Sequence, residues 1–128
     1  VTVAYLDTSA AAKLLVNEPE SAALASWLDS DSVELRATLL METELRRLAE
    51  REDLRQEAVT ELLDRVYLYE MPPSLFREAG LLPGRDLRSL DALHLAAALR
   101  LGVDVVVTYD ERLANAALRT GLRALAPT

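Results

Sequence analysis

The chain has 128 residues, with 21 Asp and Glu against 14 Lys and Arg, a formal net charge of −7, a hydrophobic fraction of 51% and no cysteine. That size and apolar content suit one domain over residues 1–128, and the missing cysteines exclude disulfides, thiolate metal sites and a thiol nucleophile together. The acidic balance argues against a generic nucleic-acid coat protein, but not against a nuclease whose acids gather cations.

The apolar runs are short or broken by Arg and Asp, so no membrane helix is expected. With no basic segment ahead of an apolar one at the start, a cytoplasmic protein is expected. All but one of the fourteen basic residues are Arg, the type suited to bidentate contacts with phosphate or carboxylate.

In chain order, "VTVAYL" (1–6) reads as a strand covered on both faces, ending on Asp7. Residues 8–16 have helical spacing, and 17–31 form a second short helix with Pro19 near its start. A brief strand, "VELRA", is followed by a helix from Thr38 to Arg51 and, after a break near Glu52 and Asp53, another over 54–66. "YLYEM" (67–71) reads as a strand closed by Pro72 and Pro73, and 74–88 as a short helix with a loop around Pro83 and Gly84. "SLDALHLAAALRLG" (89–102) is a helix with Ser89 as its expected cap and Gly102 as its stop. "VDVVVTY" (103–109) is a second buried strand, 110–121 the last helix and "LRALAP" a final edge strand. Alternating strands and helices predict an α/β fold, a mostly parallel sheet with helices on both faces.

The acids fall at telling places. Asp7 and Asp110 follow the two most apolar strands, and in open parallel sheets ligands bind at the carboxyl ends of strands. Asp91 lies in the first turn of its helix, where a negative charge meets the helix dipole. Glu44 falls among Leu40, Met41 and Leu48, inside the apolar stripe of its helix, whereas Glu42 lies nearer the edge.

Singly, each acid has an ordinary explanation. Asp7 and Asp110 would cap the helices that follow them, Asp91 would answer a dipole, and Glu44 would pair with Arg47 or Arg51. Together, four acids drawn to one rim require a cation between them. With oxygen donors alone that cation is a hard one, Mg²⁺ or Mn²⁺. The one histidine, His94, is expected to pack beneath the site with a hydrogen-bonded ring nitrogen. Asp104 sits at the opposite end of its strand and is left out of the set.

"YLDTSA", "TLLMETELRR", "SLDALHLAAAL" and "VVVTYDERLANAA" resemble, in order and spacing, the four acidic motifs of the PIN-domain nucleases. The nearest likeness is to the VapC toxins of bacterial VapBC toxin–antitoxin pairs, and it spans nearly the whole chain. The resemblance implies a three-layer α/β/α PIN-like fold and puts the four family acids on Asp7, Glu44, Asp91 and Asp110. It further implies one or two Mg²⁺ or Mn²⁺ ions held by these acids, hydrolysis of RNA, homodimerisation and silencing by a VapB-like antitoxin. Glu42, two residues before the matched acid, and Thr38, where the family often has Ser, are departures from the pattern.

On this reading Asp7 and Asp91 bind an ion directly, and Glu44 and Asp110 hold it through water or position a second one. The RNA would be gripped by arginines around the rim, Arg46, Arg47, Arg85, Arg88 or Arg112. The alternative is a non-catalytic module whose acidic pocket receives an Arg-bearing peptide. A phospho-acceptor domain built on Asp7 is disfavoured, because position 9 is Ser and no Lys ends a late strand. The four scattered glycines form no phosphate loop.

Overall fold

A computed structural model describes residues 1–30 and 32–128; Asp31, the last residue of the second expected helix, lies outside the described residues. The elements are β1 (Thr2–Leu6), α1 (Thr8–Ala12), α2 (Ser21–Ser30), β2 (Val33–Thr38), α3 (Leu39–Arg51), α4 (Gln56–Leu63), β3 (Tyr67–Tyr69), α5 (Pro73–Gly80), α6 (Ser89–Arg100), β4 (Val105–Val107), α7 (Glu111–Arg119) and β5 (Arg123–Leu125). The first expected helix is shorter than its pattern, ending at Ala12, and Pro19 lies ahead of α2 rather than inside it.

Among the described residues the strands form one sheet in the order β3-β2-β1-β4-β5, and every neighbouring pair is parallel. The order was not readable from the sequence, and it matters. The chain moves outward from β1 through β2 to β3, returns to the other side of β1 as β4, and moves outward again. The adjacent strands β1 and β4 therefore carry connections that leave in opposite directions. That switch point opens a crevice at their carboxyl ends.

Alternation along the central strands divides the core. Ala4 and Leu6 of β1 with Val105 and Val107 of β4 face a cluster that includes Leu24, Met41, Leu45 and Val59. Tyr5 and Val106, the residues between, face Leu75, Leu95, Leu113 and the alanines of α6. Both faces of the sheet are thus covered, which is why "VTVAYL" and "VVV" are apolar throughout rather than alternating.

Three local features carry the packing toward the rim. Thr38 ends β2 and caps α3, its hydroxyl accepting from the Leu40 N–H at 3.3 Å. Met41, Leu45 and Ala49 of α3 are fully buried at a spacing of four, the periodicity of one helix face. After Leu101, Gly102 takes a left-handed φ of 61° and stops α6, as its place in the sequence predicts. Truncation of Leu45 to Ala is expected to cost about 2–5 kcal/mol, read as a lower midpoint in urea with the slope unchanged.

Candidate active site

Asp7 leaves β1 directly into the crevice and is 4% exposed. Its Oδ2 accepts from the Thr108 hydroxyl at 2.6 Å and its Oδ1 from the Ala10 N–H at 2.9 Å, while Ser9 Oγ lies 2.8 and 3.0 Å from the two oxygens. Asp7 is therefore the N-cap of α1 as well as a candidate ligand. Burial pushes its pKa above the ordinary carboxylate range; the bonds from Thr108, Ala10 and Ser9 and the nearby His94 pull the other way without reversing it.

Thr108 is the hinge of this corner. Leu6 pairs with Val107 across the β1–β4 ladder, so the next residue on each strand meets its counterpart. The Thr108 hydroxyl donates to Asp7 and accepts from the Asp110 N–H at 3.0 Å, which ties two candidate ligands to one buried oxygen. Ser9 closes the corner by accepting from the Tyr109 N–H at 3.1 Å. Neither Thr108 nor Ser9 was singled out as part of the site from the sequence. The available signal was a lone hydroxyl residue at the end of the apolar run "VVV" and another two residues after Asp7.

Asp110 caps α7, its Oδ1 accepting from the N–H groups of Arg112 at 2.9 Å and Leu113 at 3.4 Å. Asp91, in the first turn of α6, is partly buried. Its pKa is raised, first by burial and then by the charge of Asp110, with His94 and Arg112 opposing. Ser89 does not cap α6: the helix begins on Ser89 itself, and Arg88 occupies the cap position without a side-chain hydrogen bond. The α6 N-terminus therefore carries Asp91 without a competing side-chain cap.

Glu44 does not pair with Arg47 or Arg51. Its Oε1 accepts from Thr8 Oγ1 at 2.6 Å and meets His94 Nε2 at 2.9 Å. Burial disfavours its charge, but the bonds from His94 and Thr8 outweigh that and hold its pKa below the ordinary range. Glu42 turns away to Arg46 at 3.1 Å, an i,i+4 pair, so of the two acids only Glu44 joins this hydrogen-bonded corner. His94 is 4% exposed with both ring nitrogens engaged, the second at 2.6 Å from Tyr5 Oη, matching the expected buried imidazole. Asp104 lies at the far end of β4, accepting from the Val3 N–H at 2.8 Å.

Arg46 is engaged with Glu42, Gln56 and Thr60 and clamps α3 to α4. Arg47, Arg85, Arg88 and Arg112 make no carboxylate ion pair among the described residues. Arg47 lines a mainly apolar groove of about 480 Å³ beside Glu44, with Leu40, Leu48 and Leu90.

The acids fit a hard divalent cation in kind and in charge. All are oxygen donors, the ionisation of Asp7 and Asp91 is opposed where they stand, and among the described residues no Arg or Lys pairs with Asp7, Asp91 or Asp110. Among the described residues no three His, Asp or Glu side chains are arranged to hold one ion together. His94 is the shared neighbour, its charge acting on Asp7, Glu44 and Asp91 alike.

The PIN domain family model matches residues 4–118. Ribonuclease VapC35 of Mycobacterium tuberculosis is 42% identical over 132 residues, covering 96% of each chain. Ribonuclease VapC46 of the same organism is 37% identical over 126 residues and 97% of each. The chain belongs to the PIN-domain family and, within it, to the VapC ribonucleases. Among solved structures, M. tuberculosis VapC20, described as a sarcin-ricin loop cleaving toxin, shares the fold with a TM-score of 0.77 at 18% identity, over 97% of this chain and 99% of its own. VapBC2 of Rickettsia felis, solved on a promoter DNA fragment, gives 0.70 at 14% identity over 99% and 100%.

Because burial raises the Asp7 pKa, its ionised form weakens the native state, fully so above the raised folded value and not at all below the ordinary carboxylate range. Asp7→Asn is therefore expected to raise the Tm of protein held in EDTA at neutral pH, with the gain vanishing as the pH falls below that range. Glu44→Gln carries the opposite sign. The lowered Glu44 pKa contributes stability above the ordinary range that is lost as pH falls through the folded value, so this variant melts lower at neutral pH. Thermal melts across pH check both.

Proposed function

We propose that this chain is an endoribonuclease dependent on Mg²⁺ or Mn²⁺, acting in the cytoplasm as the toxin of a toxin–antitoxin pair and silenced by a VapB-like antitoxin. The observation that carries the reading is the link from Asp7 to Asp110 through the Thr108 hydroxyl at the ends of β1 and β4, with the charge of Asp110 reaching Asp91 and His94 acting on Asp7, Asp91 and Glu44. Relatives named Ribonuclease VapC support RNA as substrate. Fold neighbours solved as VapBC assemblies and as a toxin–antitoxin complex support the antitoxin. Among the described residues no helix is long and apolar enough to cross a membrane, in keeping with a site that meets RNA in solution.

When bound, a divalent ion supplies a low-pKa water for hydrolysis of the phosphodiester and neutralises charge on the phosphate. Asp7 and Asp91 are the residues that would hold it directly, with Glu44 and Asp110 holding it through water or positioning a second ion. Thr108 and Ser9 orient the Asp7 carboxylate by donating to it, and the Thr108 oxygen fixes the backbone of Asp110. Arg47, Arg85, Arg88 and Arg112 meet the RNA phosphates around the rim. Such positive side chains are needed because the net charge of −7 repels a polyanion at long range.

The test is cleavage of structured RNA with Mg²⁺, with EDTA, and by Asp7→Asn. EDTA is expected to abolish cutting. The substitution should reduce it by at least about 100-fold, since even outer partners of metal ligands cost 10- to 100-fold. Undiminished cutting by Asp7→Asn overturns the assignment. Tight binding of an Arg-bearing peptide with no turnover on any RNA favours a pure binding module instead. Thr108→Val is expected to fold and to lose about 10- to 100-fold of activity, measured in the same assay.

A further inference from the structure

His94 belongs to α6, yet its ring touches two other elements. Nδ1 lies 2.6 Å from the hydroxyl of Tyr5 on β1, and Nε2 lies 2.9 Å from Glu44 Oε1 on α3. Thr8, on α1, donates to that same Oε1 at 2.6 Å. The Tyr5 and His94 rings meet edge to face, with centroids 5.7 Å apart and planes at 69°. Tyr5 is 0% exposed and His94 4%, so each polar atom in this chain must find its partner within the protein.

The chemistry of the partners settles where one ring proton sits. An ionised Glu44 only accepts, so Nε2 must carry a hydrogen and donate it. Nδ1 meets the Tyr5 hydroxyl, a group that can donate or accept, so that bond is made whichever charge state the ring holds. The opposite tautomer would set the Nε2 lone pair against a carboxylate oxygen, a repulsive contact in a dry corner. His94 therefore donates to Glu44 while Tyr5 holds the other edge of the ring, and Thr8 meets the carboxylate from the far side. Both bonds to the carboxylate fall on Oε1, and Oε2 makes none among the described residues.

We infer that Tyr5 and His94 are positioning residues: Tyr5 fixes the ring at Nδ1 and the ring's Nε2–H commits Glu44 Oε1, leaving Oε2 to face the ion, through water or as part of a second site. This inference rests on the metal-dependent reading above. Filling space alone would not require it, because an aliphatic side chain at 94 would suit the Ala- and Leu-lined surroundings of α6. What an aliphatic residue cannot do is orient a carboxylate.

Two measurements on the full chain test it. In metal-free, ¹⁵N-labelled protein the single histidine gives one pair of ring-nitrogen signals, expected to show a hydrogen fixed on Nε2 and coupled across the bond to Glu44. A ring without a hydrogen on Nε2, or rapid exchange between tautomers, overturns the inference. In Mn²⁺ titrations followed by electron paramagnetic resonance, Tyr5→Phe and His94→Leu are expected to bind about 10- to 100-fold more weakly than wild type. His94→Gln, whose amide N–H₂ reaches toward the Nε2 position, should recover most of that loss whatever its melting temperature. Equal Mn²⁺ affinity in Tyr5→Phe and wild type overturns the inference alone, even if His94→Leu fails to fold. A wild-type protein that binds no Mn²⁺ overturns the metal-dependent reading as well.

Discussion

A carboxylate at the end of a strand buried on both faces is the constraint around which this fold is arranged. Removing one ionised group from water costs several kcal/mol even after relaxation, whereas a helix N-cap contributes about 1 kcal/mol. Capping α1 therefore cannot account for Asp7. Its pKa remains raised although Thr108, Ser9 and the Ala10 N–H all meet it. The protein carries an acid that its own hydrogen bonds do not fully stabilise, and a bound cation is the remaining way to favour its charged form.

Glu44 is the counterpart. It too is removed from water, but His94 and Thr8 more than offset that, so its charge is already favoured within the protein. The two acids differ in kind: the fold favours the charge of Glu44 and opposes that of Asp7. Between them lies His94, buried among the alanines of α6 and shared electrostatically by Asp7, Glu44 and Asp91. A polar group in such a position specifies geometry when every bond is satisfied, and weakens a core when one is not.

Membership of the PIN-domain family and the VapC ribonucleases is consistent with these local causes. The most similar relatives span the same length, so the α/β framework is shared rather than appended. Individual rim residues are a different matter. Arg46 shows why charge counting misleads: an arginine next to the site in sequence is engaged in a structural clamp, while Arg47, one position on, turns to the groove beside Glu44. Successive helical residues point about 100° apart, and that rotation separates a packing role from an accessible one.

Element types, the parallel class and the placement of Asp7 and Asp110 after the two central strands were legible in the sequence, because periodicity and strand-end position are local signals. Helical rotation also separated Glu44, on the stripe, from Glu42, which turns to Arg46. Strand order was not, since nothing local records which side of β1 receives β4. Without that order the meeting of Thr108 with Asp7 is invisible: the two residues are 101 positions apart and become partners only through the β1–β4 register. The links from Tyr5 through His94 to Glu44 were hidden for the same reason, as they join three elements across the end of the sheet. The sequence by itself determined which side chains are charged, apolar or hydroxylated along each element. Tertiary structure decided which of them meet, because hydrogen bonds and desolvation act over a few ångströms in space, whatever the distance along the chain.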